Sequence, residues 1–216
     1  MRLIYLILFI LCGCEKEQAK PVFEKVITYI GPAPQVVQQK PSAEKVDKAP
    51  DIIIAARKQI GVTVSYDPEY RRLEYPGGDV PKNTGVCTDV IIRALRISHQ
   101  IDLQKLVHED MKRAFAKYPK IWGLSRPDKN IDHRRVPNLQ CFFKRKGYQI
   151  KTGKVGADFK AGDIVTCMVG NRPHIMLVSN RKLKGVPLVI HNIGSGAKED
   201  NSLLSFKLTG QYRIYK

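Results

Sequence analysis

A cysteine lies where a polar loop runs into an apolar helical pattern, in the stretch PKNTGVCTDVIIRALR. The apolar residues recur at the spacing of one helix face, at Val90, Ile91, Ala94 and Leu95. This pattern places Cys87 in the first turn of a helix, where unpaired N–H groups and the helix dipole favour negative charge. The sequence therefore predicts a lowered thiol pKa and a nucleophilic role for Cys87, although a small core residue would also fit there.

Two histidines, His174 and His191, lie in successive strand-like segments, PHIMLVSN and PLVIHNI. Neighbouring strands can bring two such side chains together, so that one imidazole orients the other. A neutral imidazole beside a thiol takes up its proton and makes the sulfur nucleophilic near neutral pH. Alternation along the strand leaves either His191 or Asn192 on the side of His174, and we predict His191.

Helical periodicity dominates residues 51–146. It predicts one helix after Asp51 as N-cap, one at Cys87, one from about His99 to Lys117 and one from Leu139 to Lys146. From residue 162 the pattern has period two, and GDIVTCMV, PHIMLVSN, PLVIHNI and QYRIY each predict a strand. This order predicts an α+β fold with N-terminal helices packed on an antiparallel sheet and a helical insertion at about 99–138.

The chain opens with MRLIYLILFILCGC, an arginine followed by an apolar run from Leu3 to Leu11. The run is too short to cross a bilayer and is typical of a secretory signal. Its end resembles a bacterial lipobox, which predicts a lipoprotein signal peptide over residues 1–13 and a lipid on Cys14. An ordinary signal peptide and an uncleaved anchor are the alternatives.

Residues 14–50, rich in proline and mixed charges, predict a tether ahead of a domain at 51–216. The formal net charge of +17 favours an anionic partner. With export expected, we predict an anionic envelope polymer as partner, attachment to a membrane through Cys14, and no nucleic acid. The expected location is the exported face of the bacterial envelope, on the periplasmic side in a Gram-negative cell.

The domain retains three cysteines, Cys87, Cys141 and Cys167, which cannot all pair with one another. Whether Cys141 and Cys167 form a disulfide stays open. No CxxC occurs, and neither a metal nor a cofactor is predicted. A metal held by Cys87, His174 and His191 is the alternative.

The order of a helix-borne cysteine, a strand histidine and a polar residue on the next strand resembles the NlpC-type cell-wall cysteine peptidases of the papain-like superfamily. The segments GVCTDVIIRAL, FKAGDIV, PHIMLVS and VIHNIGSG carry the likeness. The resemblance implies a papain-like domain with Cys87 as nucleophile, His174 as general base and acid, and His191 as the orienting residue.

Residues from about Asp51 to Tyr215 also resemble a narrower bacterial family, domain of unknown function 1287. The likeness lies in YDPEY, GGDVP, TGVCTDVIIRALR, NIDHRRVPNLQ and HNIGSG. That name records no activity, so the expected function comes from the broader resemblance.

Further candidates surround this triad. Thr88 and Asp89 replace the Ser-Gly of the broader family beside the nucleophile, and Tyr66 resembles a tyrosine that reaches the oxyanion in relatives. The NIDHRR run suits carboxylate binding, or else a structural network. The candidates for substrate or oxyanion binding are Tyr66, Asp89, Asp132, His133, Arg134 and Asn192.

The predicted function is that of a thiol hydrolase, a peptidase or amidase that cleaves amide bonds in peptidoglycan peptides. Two alternatives stay open. One is a non-catalytic lipoprotein that binds the cell envelope, and the other is an acyl or amide transferase that uses the same thiol.

Overall fold

Helices on one side of an antiparallel sheet make up the part of the chain that the computed structural model describes, residues 50–214. The predicted signal peptide at 1–13, the lipidation site Cys14 and all of the predicted tether except Pro50 lie outside the described residues.

Each predicted helix is present, with shifted ends. The four are α1 (Asp51–Arg57), α2 (Cys87–His99), α3 (Leu103–Ala114) and α4 (Val136–Arg145). The prediction of Asp51 as N-cap is wrong, because Pro50 precedes α1 and Asp51 is its first residue. The segment between α2 and α4 contains α3 and two short 3₁₀ turns, at Phe115–Lys117 and Asp132–Arg134.

Helix α2 begins at Cys87 for a local reason. The carboxylate of Asp89 accepts the N–H of Val86 at 2.6 Å, which satisfies a donor that the helix start leaves unpaired. The helix ends at His99, because the next residue, Gln100, has a left-handed backbone (φ 57°). The first turn, and with it Cys87, is therefore fixed by a contact within four residues of chain.

Six strands form the main sheet, in the order β3-β8-β4-β5-β6-β7, and every pair is antiparallel. They are β3 (Gln149–Ile150), β4 (Ile164–Val169), β5 (Arg172–Leu183), β6 (Val186–Asn192), β7 (Ala197–Asp200) and β8 (Lys207–Tyr212). A small parallel pair, β1 (Ser65–Tyr66) and β2 (Thr84–Gly85), precedes α2. The α+β class is confirmed, whereas the sequence patterns did not predict β1, β2, β3 and β7.

Both faces of the sheet are buried. Alternation along β5 turns Ile175 and Leu177 toward the helices, and Met176 and Val178 toward the opposite face. The first face packs on the apolar sides of all four helices, and the second is covered by a smaller cluster that includes Leu203. Within residues 50–214, no helix is both long enough and apolar enough to cross a membrane.

Candidate active site

The site lies where β5 and β6 stop pairing. Their register ends at Leu177 opposite Ile190, so residues 172–176 of β5 and 191–192 of β6 are not paired with each other. We call this place the strand gap. The N–H of Ile175, in the part of β5 that pairs with β4 but not with β6, hydrogen-bonds the sulfur of Cys87 at the start of α2. The thiol is thereby held beside the residue that follows His174.

Burial dominates the electrostatics of this thiol. Cys87 is 4% exposed, and desolvation raises its pKa to about 11. The N–H of Ile175 and those of Cys87 and Thr88 at the helix start act in the opposite direction, but less strongly. The prediction of a lowered thiol pKa is therefore wrong for the free protein, because loss of water outweighs the helix N-terminus.

The two predicted histidines meet. His174 Nε2 lies 2.8 Å from His191 Nδ1, and the rings cross edge to face with centroids 5.0 Å apart. His191 Nε2 lies 3.1 Å from a carboxylate oxygen of Asp200, at the end of β7. A hydrogen-bonded chain thus runs from Asp200 through His191 to His174. The second ring nitrogen of His174, Nδ1, does not take part in this chain.

Both imidazoles are neutral at pH 7 in this setting. Burial lowers the pKa of His174 to about 3, and His191 opposes its protonation further. The pKa of His191 is also lowered by burial, although Asp200 acts against this shift. In residues 50–214, neither imidazole hydrogen-bonds the Cys87 sulfur. The free protein therefore holds a neutral thiol and a neutral histidine pair, and the link between them is Ile175, the residue after His174.

Asn192 serves a different purpose from His191. Its side chain lies on the helix face of β6, where Nδ2 donates to the carbonyls of Ser65 at 3.1 Å and Gly85 at 2.9 Å. Its Oδ1 accepts the N–H groups of Gly194 and Gly196, each at 3.2 Å. With its donors and acceptor satisfied, Asn192 joins the β6–β7 turn to the loop just before Cys87.

Tyr66 lies beside the thiol. Its hydroxyl interacts with Cys87 by a hydrogen bond, and burial together with Cys87 raises the pKa of Tyr66 to about 12. Arg172, at the start of β5, acts on the phenol in the opposite direction. The hydroxyl therefore stays protonated at neutral pH and can donate a hydrogen bond.

Asp89 and Arg134 form a buried ion pair behind the site. Two parallel bonds of 3.0 Å join the guanidinium to the carboxylate, and the side chains are 2% and 4% exposed for Arg134 and Asp89. Arg134 also donates to the carbonyls of Asp67 and Glu69, at 3.2 Å each. Both residues therefore hold α2 against the 67–69 loop, although Arg134 also borders the cleft described below.

Asp132 and His133 are structural rather than exposed. The Asp132 carboxylate accepts the N–H of Asp128 at 2.5 Å and an Arg135 donor at 3.3 Å. His133 is 2% exposed, and burial lowers its pKa to about 3. Neither residue lines the cleft, so the prediction of direct substrate contacts has no support at these two positions.

A cleft of about 500 Å³ opens over Cys87. Its walls are mostly aromatic, aliphatic and proline side chains, and they include Tyr66, Tyr70, Trp122, Val136 and Pro173. Arg135 also lines it, with its guanidinium 4.2 Å above the Trp122 ring. Arg135 belongs to the NIDHRR run that was predicted to bind a carboxylate. Its side chain is 19% exposed.

The three cysteines of the described domain are free thiols. Cys141 donates to the carbonyl of Lys117 at 3.4 Å, while Cys167 is fully buried on the second face of the sheet. No group of three histidine, cysteine or acidic side chains within residues 50–214 is arranged to hold a metal ion.

Asp200 was missed by sequence reasoning. The segment AKED after the Gly-Ser-Gly turn carries no apolar alternation, because its side chains are largely half-buried polar groups. A signal was nevertheless available, since a turn directly after the predicted PLVIHNI strand allows a hairpin partner. Gly196 meets the requirements of this turn, because its φ is +94° and a Cβ would lie 2.5 Å from the Thr63 carbonyl oxygen.

Two comparisons with known proteins agree. The chain is 55% identical over 162 residues to "Uncharacterized protein YijF" of Escherichia coli (strain K12), covering 74% of this chain and 78% of that protein. A family profile described as "Domain of unknown function (DUF1287)" matches residues 53–214, which include the cleft, the histidine pair and Asp200. The chain therefore belongs to the family described as Domain of unknown function (DUF1287).

Proposed function

We propose that this protein is a cysteine hydrolase of papain-like architecture that cleaves amide bonds in peptidoglycan peptides. One observation carries the proposal. The thiol of Cys87 lies at a helix start and borders a cleft. Its sulfur is hydrogen-bonded by the N–H of Ile175, and the residue before Ile175 is His174, which ends the hydrogen-bonded chain from Asp200 through His191. This is the nucleophile, base and orienting group that thiol catalysis uses.

The proposed reaction starts from neutral groups. Nδ1 of His174 takes the Cys87 proton as the sulfur attacks the carbonyl carbon, so charge develops only along the reaction path. Hydrogen bonds between catalytic groups are often long in a free enzyme and shorten when substrate binds. The carbonyl oxygen becomes an oxyanion, for which the N–H of Cys87 and the Tyr66 hydroxyl are candidate donors.

The intermediate then collapses. The C–N bond breaks, and the imidazolium of His174 gives its proton to the leaving amine. A water molecule attacks the thioester while His174 accepts its proton, and the proton returns to the sulfur as the carboxylic acid leaves. His191 remains hydrogen-bonded to His174 throughout and stabilises the imidazolium.

The cleft favours an anionic peptide. Its described lining contains two arginines and no acidic side chain. Arg134 is occupied by Asp89. Arg135 has one hydrogen bond, of 3.3 Å to Asp132, besides its contact with the Trp122 ring, and its side chain stays 19% exposed. We therefore assign Arg135 as the group that attracts a substrate carboxylate. Lipid attachment at Cys14 and an exported location would hold this cleft near the cell wall.

The test compares the full chain with Cys87→Ala on purified peptidoglycan, with released peptides measured by mass spectrometry. We expect release by the wild type and none by Cys87→Ala. Cys141→Ala removes a half-buried thiol outside the cleft and should keep full turnover. Turnover that persists in Cys87→Ala would exclude the thiol mechanism, and an added amine that appears in the products would indicate a transferase.

A second candidate function is a non-catalytic module that binds the envelope polymer. It is favoured by the resting state, in which Cys87 is 4% exposed with a pKa near 11 and the pKa of His174 is about 3. A binding module would sediment with purified peptidoglycan without releasing peptides. Its affinity would fall on Arg135→Gln and stay unchanged on Cys87→Ala.

A further inference from the structure

We propose that Asp200 is a positioning residue that fixes which nitrogens of His191 and His174 carry protons. The inference rests on the proposed function, because it concerns the base of the same site. Asp200 lies on β7, directly opposite Val189 of β6. Opposite residues share a sheet face, and so do residues two apart on one strand, so Asp200 lies on the same face as His191. Its carboxylate is 3.1 Å from His191 Nε2.

The proton positions follow from donor and acceptor chemistry. An ionised carboxylate only accepts, so Nε2 of His191 must carry the hydrogen between them. In a neutral imidazole the other nitrogen is then an acceptor, so Nδ1 of His191 accepts from Nε2–H of His174 across 2.8 Å. The remaining nitrogen of His174, Nδ1, is left with a lone pair. This is the form of the ring that can take a proton from a thiol.

The carboxylate itself is held in place. Lys198 Nζ lies 3.0 Å from the second oxygen of Asp200, and Ser202 also hydrogen-bonds this side chain. The side chain of Asp200 is 29% exposed, so the pair with Lys198 retains some water. His191, in contrast, is fully buried and has no solvent to replace the carboxylate as acceptor.

Replacement of Asp200 by asparagine should reverse the direction of the hydrogen bonds that join residue 200, His191 and His174. Lys198 can only donate, so it draws the amide oxygen and turns the amide NH₂ toward His191. Nε2 of His191 must then accept, its Nδ1 donates to Nε2 of His174, and the His174 proton moves to Nδ1. The base would be blocked although the carboxamide has nearly the same shape as the carboxylate.

Nitrogen-15 NMR of the full chain labelled at histidine reads the tautomers directly. The chain has five histidines, so His174→Gln and His191→Gln spectra identify the two signals. In the wild type we expect the Nε2–H form of both rings, and in Asp200→Asn the Nδ1–H form. Asp200→Glu keeps a carboxylate and should keep the wild-type form. Asp51→Asn, the same charge change at the exposed start of α1, should alter neither ring.

Turnover on purified peptidoglycan is measured in parallel. We expect kcat of Asp200→Asn to fall on the order of 10²-fold or more with KM little changed, and Asp200→Glu to recover part of the loss. An Nδ1–H form of His174 in the wild type, or unchanged tautomers in a folded Asp200→Asn protein, would overturn the inference. So would switched tautomers with full turnover. If wild-type turnover is absent, the proposed function fails, while the spectra still decide the role of Asp200.

Discussion

Cys87 combines a helix start with nearly complete burial, and the two act on its pKa in opposite directions. Desolvation is the larger effect and raises the pKa to about 11. In the proposed reaction the sulfur would therefore need an imidazole as a base, because it does not exist beforehand as a thiolate. Under the proposed function, a substrate that fills the cleft would also change the water around the sulfur, so we expect the free and bound states to differ in reactivity.

This resting state can be measured by alkylation. We expect iodoacetamide to label Cys87 slowly at pH 7, with a rate that rises steadily toward pH 10 because only the thiolate reacts. Peptide mass spectrometry follows each cysteine separately, and half-buried Cys141 gives an internal comparison in the same sample. A rapid rate that is constant between about pH 6 and 9 would instead indicate a preformed thiolate–imidazolium pair.

At the scale of elements, the start of α2 depends on contacts from three different parts of the chain. Asn192 of β6 bonds the Gly85 carbonyl, Arg134 bonds Asp89 of the first helical turn, and Ile175 of β5 bonds the thiol. A buried, bidentate pair such as Asp89–Arg134 costs more to break than to replace by apolar groups. It holds the first turn of α2, and with it Cys87, and both of its side chains are almost fully buried.

A double-mutant cycle tests this role. We expect Arg134→Met to lower the free energy of unfolding by about 3 kcal/mol, because Asp89 is left buried without its partner. The double variant Asp89→Leu with Arg134→Met should recover much of this loss. Arg134→Lys should remain unstable, because an ammonium group cannot make the two parallel bonds. Urea unfolding measures each value, and equal, additive losses would contradict a coupled pair.

For the whole molecule, buried neutral histidines predict sensitivity to mild acid. The pKa values of His133 and His174 are lowered from 6.5 to about 3 in the folded protein. Below pH 6.5 the unfolded chain takes up protons that the folded chain does not, so stability is complete above that pH and falls progressively toward pH 3. Each of these histidines should cost about 2 kcal/mol between pH 6.5 and pH 5.

Urea unfolding at pH 7 and pH 5 checks the prediction. His133 is the informative site because it lies outside the proposed reaction, so His133→Gln should show a smaller difference between the two pH values than the wild type. The same difference in both proteins would mean that other groups cause the acid sensitivity. The pair Asp110 with Arg145 contributes at lower pH. The pKa of that carboxylate is lowered in the folded protein, so its stabilisation is complete above the unfolded value of 3.8 and falls as the pH drops below it.

The sequence by itself determined the elements whose patterns are local. Helical periodicity after residue 86 fixed the first turn of α2 and with it the place of Cys87, and alternation fixed β5 and β6 with one histidine each. The α+β order followed from the change of period along the chain. These features could be predicted because each depends on residues within a few positions of one another.

Only the tertiary structure decided the rest. The partner of Asp89 lies 45 residues away, and that of His191 lies on a polar strand with no apolar pattern. The pKa of the Cys87 thiol was predicted in the wrong direction, because burial is produced by the sheet and the other helices rather than by its own helix. Pairing across the sheet and exclusion of water are properties of distant segments brought together, and spacing along the chain does not encode them.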